Sequence, residues 1–174
     1  MHQLQGQSNV HSPNPIAPTT SIGHVHLKVA NIDRSLAFYH GVLGFDIMIR
    51  MGNQAAFLSA GGYHHHLGMN TWESLGGTPP PPGTTGLYHT AILYQNREEL
   101  ADAVRRLIRA GIPIGGASDH GVSEAIYLDD PDGNGVELYW DRPRELWPVD
   151  ANGELTMYTR RLDMEDLLSL PKLS

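Results

Sequence analysis

The sequence predicts an α+β fold built from two tandem βαβββ modules whose curved sheets pair into one domain. Three observations predict it. A strand, helix and three-strand pattern over 22–72 recurs over 87–141, with hydrophobic period switching between the strand and helix values in the same order. The copies keep register: His24 precedes Asn31 by seven residues, and His89 precedes Asn96 by the same seven. Between them lies a Gly/Pro connector whose Pro79–Pro82 run cannot sit inside a sheet.

Residues 1–20, rich in Gln, Ser, Asn, Pro and Thr, have little to bury and are expected to form a mobile tail. From Ile22 the chain alternates, with His24, His26 and Lys28 on one side and Val25, Leu27 and Val29 on the other. Asp33 is the expected cap of a helix carrying Leu36, Phe38, Tyr39 and Val42 and ending at Gly44. Strands are expected over 45–50, 55–59 and 64–72. In the second module a strand over 87–94 leads to an amphipathic helix over 97–110, stopped by Gly111. Strands follow near 112–115, 124–128 and 135–140, the last two joined by Asp129-Asp-Pro-Asp-Gly-Asn-Gly135, a run of turn formers. Thus 21–141 reads as one domain and 142–174 as an extension with a short helix within 155–170.

Composition narrows the function. A chain of 174 residues with 40% hydrophobic content can bury one sizeable core, and no apolar run approaches the roughly 20 residues of a membrane span. No basic-then-apolar leader opens the chain, so a cytoplasmic protein is expected. A net charge of -7 argues against a nucleic-acid partner and for a small substrate. With no cysteine, any metal must be held by histidine and carboxylate, and there are ten histidines.

Pairing of the modules about a pseudo-twofold axis is expected to bring His24 and His89 together across a shared cavity. Glu137 stands on the last strand, pointing away from its apolar neighbours Val136 and Leu138. A carboxylate there is costly to bury unless paired or bound to a cation. The competing reading makes each histidine a hydrogen-bonded core residue and pairs Glu137 with Arg142 or Arg144. The joint pattern favours a metal site on His24, His89 and Glu137. Two imidazoles and one carboxylate on one side of an ion suit Fe(II), and the same donors accept Mn(II).

These residues resemble the vicinal oxygen chelate superfamily over 22–141. Gly23-His24-Val-His-Leu-Lys-Val29 is similar to its first strand, Leu87-Tyr-His89 to its fifth, and Asp129 through Leu138 to the hairpin that delivers the glutamate ligand. The resemblance implies the vicinal oxygen chelate fold and, in finer detail, a catechol 2,3-dioxygenase that cleaves a small aromatic diol with dioxygen. Tyr127, ten residues before Glu137, matches an active-site tyrosine of those enzymes. His65 matches their acid-base catalyst, and His120 resembles a substrate-pocket histidine. His64 and His66 are expected to be solvated or bonded to the connector, and His26 lies one step beyond the site. Trp72, Trp140 and Trp147 are expected to pack in the core. Small members of the superfamily often pair, so the resemblance implies a homodimer; the classical extradiol dioxygenases have two such paired domains, whereas this chain has one pair.

Two rivals use the same fold. A glyoxalase-like isomerase would employ Ni(II), Zn(II) or Mn(II) and a fourth carboxylate ligand, which the stretch around His65–Leu67 does not offer. A drug-sequestering resistance protein would need no metal triad.

Overall fold

A computed structural model describes residues 14–173 of the chain. Most of the expected tail lies outside them; its described part, 14–20, is exposed and without regular structure. The first module comprises β1 (Val25–Lys28), α1 (Ile32–Tyr39), β2 (Asp46–Met51), β3 (Ala55–Ser59) and β4 (Leu67–Asn70). The second comprises β5 (Thr90–Tyr94), α2 (Arg97–Ala110), β6 (Gly116–Asp119), β7 (Ser123–Asp129) and β8 (Gly135–Asp141). Beyond them come a 3-10 turn (Arg144–Leu146), β9 (Arg160–Arg161) and α3 (Met164–Ser169).

Both modules follow one plan. The first sheet runs β1-β4-β3-β2, and the second runs β5-β8-β7-β6 with β9 added outside β6. In each, the first strand pairs parallel with the last, and the other pairs are antiparallel. The alternation read from β1 holds: Leu27 and Val29 are buried while His26 and Lys28 are exposed. One face of each sheet therefore packs on its helix, and the other carries polar and aromatic groups.

The helices begin at equivalent residues. Asn31 caps α1 by accepting from Arg34 N, and Asn96 caps α2 by accepting from Glu99 N. Glu99 returns the favour, its carboxylate accepting from Gln95 N at 3.1 Å, which closes a reciprocal cap. Asp33 is not the cap of α1. It lies within the first turn, where its carboxylate takes Arg50 at 2.7 Å. The second helix spans 97–110 as expected, with Leu100, Val104 and Leu107 fully buried.

Several expected strands shift. Pairing starts at Val25 and Thr90, leaving His24 and His89 one residue ahead of β1 and β5. β6 occupies 116–119, not 112–115, because Pro113 has no N–H to give and the ladder opens where Gly115 N meets Tyr127 O at 2.7 Å. Residues 64–66 are not strand. His66 N bonds Leu58 O at 2.8 Å and its ring Nδ1 takes Ala60 N, so the histidine run closes the β3–β4 hairpin. The terminal helix is shorter than 155–170, since Arg160 and Arg161 join the second sheet instead. Of the tryptophans, Trp140 packs on the core and Trp147 donates to Arg142 O, whereas Trp72 is 61% exposed.

The modules share one core, in which Ile32, Leu36, Phe38 and Tyr39 of α1 meet Leu100, Val104, Leu107, Val136 and Leu138. The β7–β8 loop locks them together. Asp130 accepts from the Tyr39 hydroxyl at 2.9 Å and holds its own loop through Asp132 N and Asn134 N. Asp132 accepts from Ala30 N and Ser35 Oγ and pairs with Arg34. The loop that is a turn in sequence terms is thus also the fastening between the repeats, and it is the turn of the hairpin that carries Tyr127 and Glu137.

Candidate active site

Glu137 is positioned by its neighbours on the β8 face opposite Val136 and Leu138, which are buried. Across the β7–β8 ladder its direct partner is Tyr127, so the spacing of ten residues is the length of a hairpin that returns the two side chains to one face. The Tyr127 hydroxyl donates to Glu137 Oε1 at 3.1 Å. On the other side β5 runs parallel to β8, and His89 Nε2 lies 2.8 Å from Glu137 Oε2. That approach requires Gly135: a Cβ there would stand 2.1 Å from Tyr88 O and 3.1 Å from His89 Cβ. His120 extends the line, with Nε2 2.8 Å from the Tyr127 hydroxyl.

These four groups form one hydrogen-bonded row, and three of them, with Thr159, border a cavity of about 470 Å³. The size suits a small ligand. Burial, followed by the Glu137 charge and hydrogen bond, pushes the Tyr127 phenol up to about 12. It is a neutral donor at ordinary pH. Among the described residues no guanidinium engages Glu137: Arg142 pairs with Glu124 and Asp119 instead.

His24 and His65 lie elsewhere. Their rings lie 4.4 Å apart, tilted by 50°, on the first-module side beside Phe57, and His65 Nδ1 faces His64 Nδ1 at 2.8 Å. Burial and then the His24, His64, His26 and His66 imidazoles push His65 below the usual histidine range. His26 accepts from Asn70 Nδ2 at 2.8 Å. Within one chain, therefore, His89 and Glu137 come together and His24 does not join them; among the described residues no three His, Asp or Glu side chains are grouped to hold one ion. A repeat pattern locates equivalent residues on equivalent strands, yet it carries no information on whether the two faces meet.

Sequence reasoning missed two contacts. His64 touches His65, a neighbour that strand alternation would have put on the opposite face. The extension reaches the site as well, since His120 Nδ1 lies 3.1 Å from Tyr158 O and 3.3 Å from Thr159 Oγ1. No local pattern signals the second contact, because it depends on β9 pairing with β6.

The duplicated βαβββ fold places an imidazole, a carboxylate and a phenol on one sheet face. The sequence profile of the Glyoxalase/Bleomycin resistance protein/Dioxygenase superfamily matches residues 21–138, and the chain belongs to that superfamily. It is 46% identical over 149 residues to a catechol-2,3-dioxygenase of Bacillus subtilis (strain 168), covering 86% of this chain and 51% of that protein. It is 30% identical over 127 residues to biphenyl-2,3-diol 1,2-dioxygenase 2 of Rhodococcus globerulus, covering 71% of this chain and 64% of that one. The chain thus spans between half and two thirds of these relatives. A solved glyoxalase/dioxygenase structure from Nostoc punctiforme shares the fold, with TM-score 0.59, 21% identity and coverage of 75% of this chain and 98% of that one. Among the described residues no helix is long and apolar enough to cross a membrane.

Proposed function

We propose that the protein is an extradiol-type dioxygenase that opens the ring of a small aromatic diol with dioxygen, using Fe(II), or Mn(II), held by His89, Glu137 and His24. The observation that carries this reading is the hydrogen-bonded row His89–Glu137–Tyr127–His120, of which His89, Tyr127 and His120 line one cavity, in a chain 46% identical to a catechol-2,3-dioxygenase. The donors fit a divalent cation. His89 Nε2 and Glu137 Oε2 lie 2.8 Å apart, an imidazole nitrogen and a carboxylate oxygen close enough to share one ion. When bound, the metal supplies Lewis acidity and redox chemistry for the diol and dioxygen.

The chain's own groups do the rest. Tyr127, held neutral, donates to a substrate oxygen, and His120 lines the same wall. His65, with its lowered pKa, is neutral near pH 7 and able to take and return a proton. His24 and His65 reach the row only if the first sheet meets the second. The first sheet offers a bare face for this, with Ile49 57% and Trp72 61% exposed. We assign the meeting to a homodimer: a twofold pairing of one copy's first sheet with the other's second sheet completes two sites at once.

Oxygen uptake with catechol and Fe(II) tests the activity, and its absence would refute it. Metal analysis of His89→Ala and Glu137→Ala tests the ligands: both variants are expected to lose stoichiometric metal, and retention in either breaks the assignment. Mixing inactive His24→Ala and Glu137→Ala chains tests the assembly. Hybrid dimers built across copies regain one intact site of two, whereas a site closed within each chain stays dead in the mixture.

A further inference from the structure

The matched family region ends at 138, yet the chain continues through a segment that returns to the site. Residues 158–162 run along β6 as an edge strand: Arg160 and Arg161 pair with Asp119 and Ser118, Tyr158 N bonds His120 O, and Leu162 N bonds Ala117 O. The segment is anchored at both ends. Leu162 is 4% exposed and Leu167 fully buried. Asp166 pairs with Arg97, and Arg105 donates to the carbonyls of Leu168 and Leu170. At the near end the Tyr158 ring is sandwiched between the Arg160 guanidinium, 4.2 Å away, and Gly121. Gly121 has φ 79°, and a Cβ there would stand 2.7 Å from the Tyr158 ring, so the sequence leaves room for that ring at this one position.

We propose that residues Tyr158 and Thr159 of this segment are positioning residues for the active site, fixing His120 as its Nδ1–H tautomer and, through it, the hydroxyl of Tyr127. A backbone carbonyl can only accept. Because Tyr158 O lies 3.1 Å from His120 Nδ1, that nitrogen carries the proton, shared with Thr159 Oγ1 at 3.3 Å. In the neutral ring Nε2 is then an acceptor, 2.8 Å from the Tyr127 hydroxyl. The single phenol proton is then shared between two acceptors, His120 Nε2 at 2.8 Å and Glu137 Oε1 at 3.1 Å. The opposite tautomer would let Nε2–H donate to the phenol oxygen, but it would aim a bare Nδ1 lone pair at the Tyr158 carbonyl 3.1 Å away. The extension thus decides which way the polar row is wired, although it supplies no group to the reacting atoms.

The effect on turnover rests on the dioxygenase reading above; the effect on the tautomer does not. The direct test is a long-range proton–nitrogen NMR correlation of the histidine rings in the metal-free full chain, at a pH where the imidazoles are neutral. His120 is assigned by the signal missing from His120→Gln. The expected result is the Nδ1–H pattern in the wild type, a partial shift toward Nε2–H in Thr159→Val, which keeps the Tyr158 carbonyl but loses the second acceptor, and restoration in Thr159→Ser. Thr159 is exposed, so these variants fold. With Fe(II) and catechol, Thr159→Val is expected to lower kcat about three- to tenfold, the range of one hydrogen bond, with Thr159→Ser recovering it. A wild-type Nε2–H tautomer, or a Thr159→Val protein whose His120 pattern is unchanged, would overturn the proposal. Wild-type protein that shows the Nδ1–H tautomer but never consumes oxygen would instead refute the dioxygenase reading.

Discussion

Replacing Asp130 by alanine is expected to be among the most damaging single changes outside the hydrophobic core. Its carboxylate, in a residue 5% exposed, accepts four hydrogen bonds: Tyr39 hydroxyl 2.9 Å, Asp132 N 2.8 Å, Asn134 N 2.9 Å and Asn134 Nδ2 2.9 Å. Tyr39 itself is 0% exposed, so its hydroxyl would have no water to turn to. A hydrogen bond to a charged group contributes about 1.5–3 kcal/mol, and an orphaned buried hydroxyl costs about 1–3 kcal/mol. The loop amides recover part of their loss by meeting solvent, leaving an expected total of about 3–5 kcal/mol against a typical domain stability of about 5–15 kcal/mol. Asp130→Asn should cost less, because the amide oxygen still accepts from the two loop N–H groups and the Tyr39 oxygen can accept from its NH2. Tyr39→Phe removes only the donor and should cost about 1–2 kcal/mol. Guanidinium unfolding of the three single variants and of Asp130→Ala/Tyr39→Phe gives a double-mutant cycle. A cost for Asp130→Ala below about 1 kcal/mol, or additive single effects, would refute the view that this loop fastens the modules.

The other predictions concern the tyrosines, one glycine and the site. Tyr39, Tyr94, Tyr127 and Tyr139 all have phenols raised by burial first, to about 12 for Tyr94 and Tyr127. A folded pKa above the unfolded one gives stability that is complete below about pH 10 and lost as pH rises through the folded value; unfolding midpoints at pH 9 and 11 should differ accordingly, and equal midpoints would contradict the burial. Gly135→Ala drives a Cβ to 2.1 Å from Tyr88 O, and is expected to cost about 2 kcal/mol or more and to weaken metal retention by spreading β5 from β8; a variant as stable as wild type would show that the approach is loose. Tyr127→Phe should lower kcat for catechol at least about tenfold with only a small change in thermal midpoint, as expected for a lost donor at the reacting oxygen; unchanged turnover would remove the phenol from the mechanism.

Periodicity and turn chemistry made the two-module plan legible. Alternating burial along β1 and β8, the Asn31 and Asn96 offset, and the helix over 97–110 are local properties, written in which residues cannot stay solvated or cannot keep their amide bonded. Tyr127 was singled out only through the family resemblance; its direct pairing with Glu137 is set by the register of the β7–β8 hairpin. Element ends were less so: Pro113 and the His64–His66 run moved them through backbone bonds to distant carbonyls.

What only the tertiary structure decided is which faces meet. It joined His89 to Glu137 through the parallel β5–β8 pair and left His24 with His65 on the other sheet. It also brought Tyr158 and Thr159 to His120. Each of these depends on contacts between segments far apart in the chain, whose free energy is settled by packing, loop closure and the Asp130–Tyr39 fastening rather than by any stretch of residues read alone.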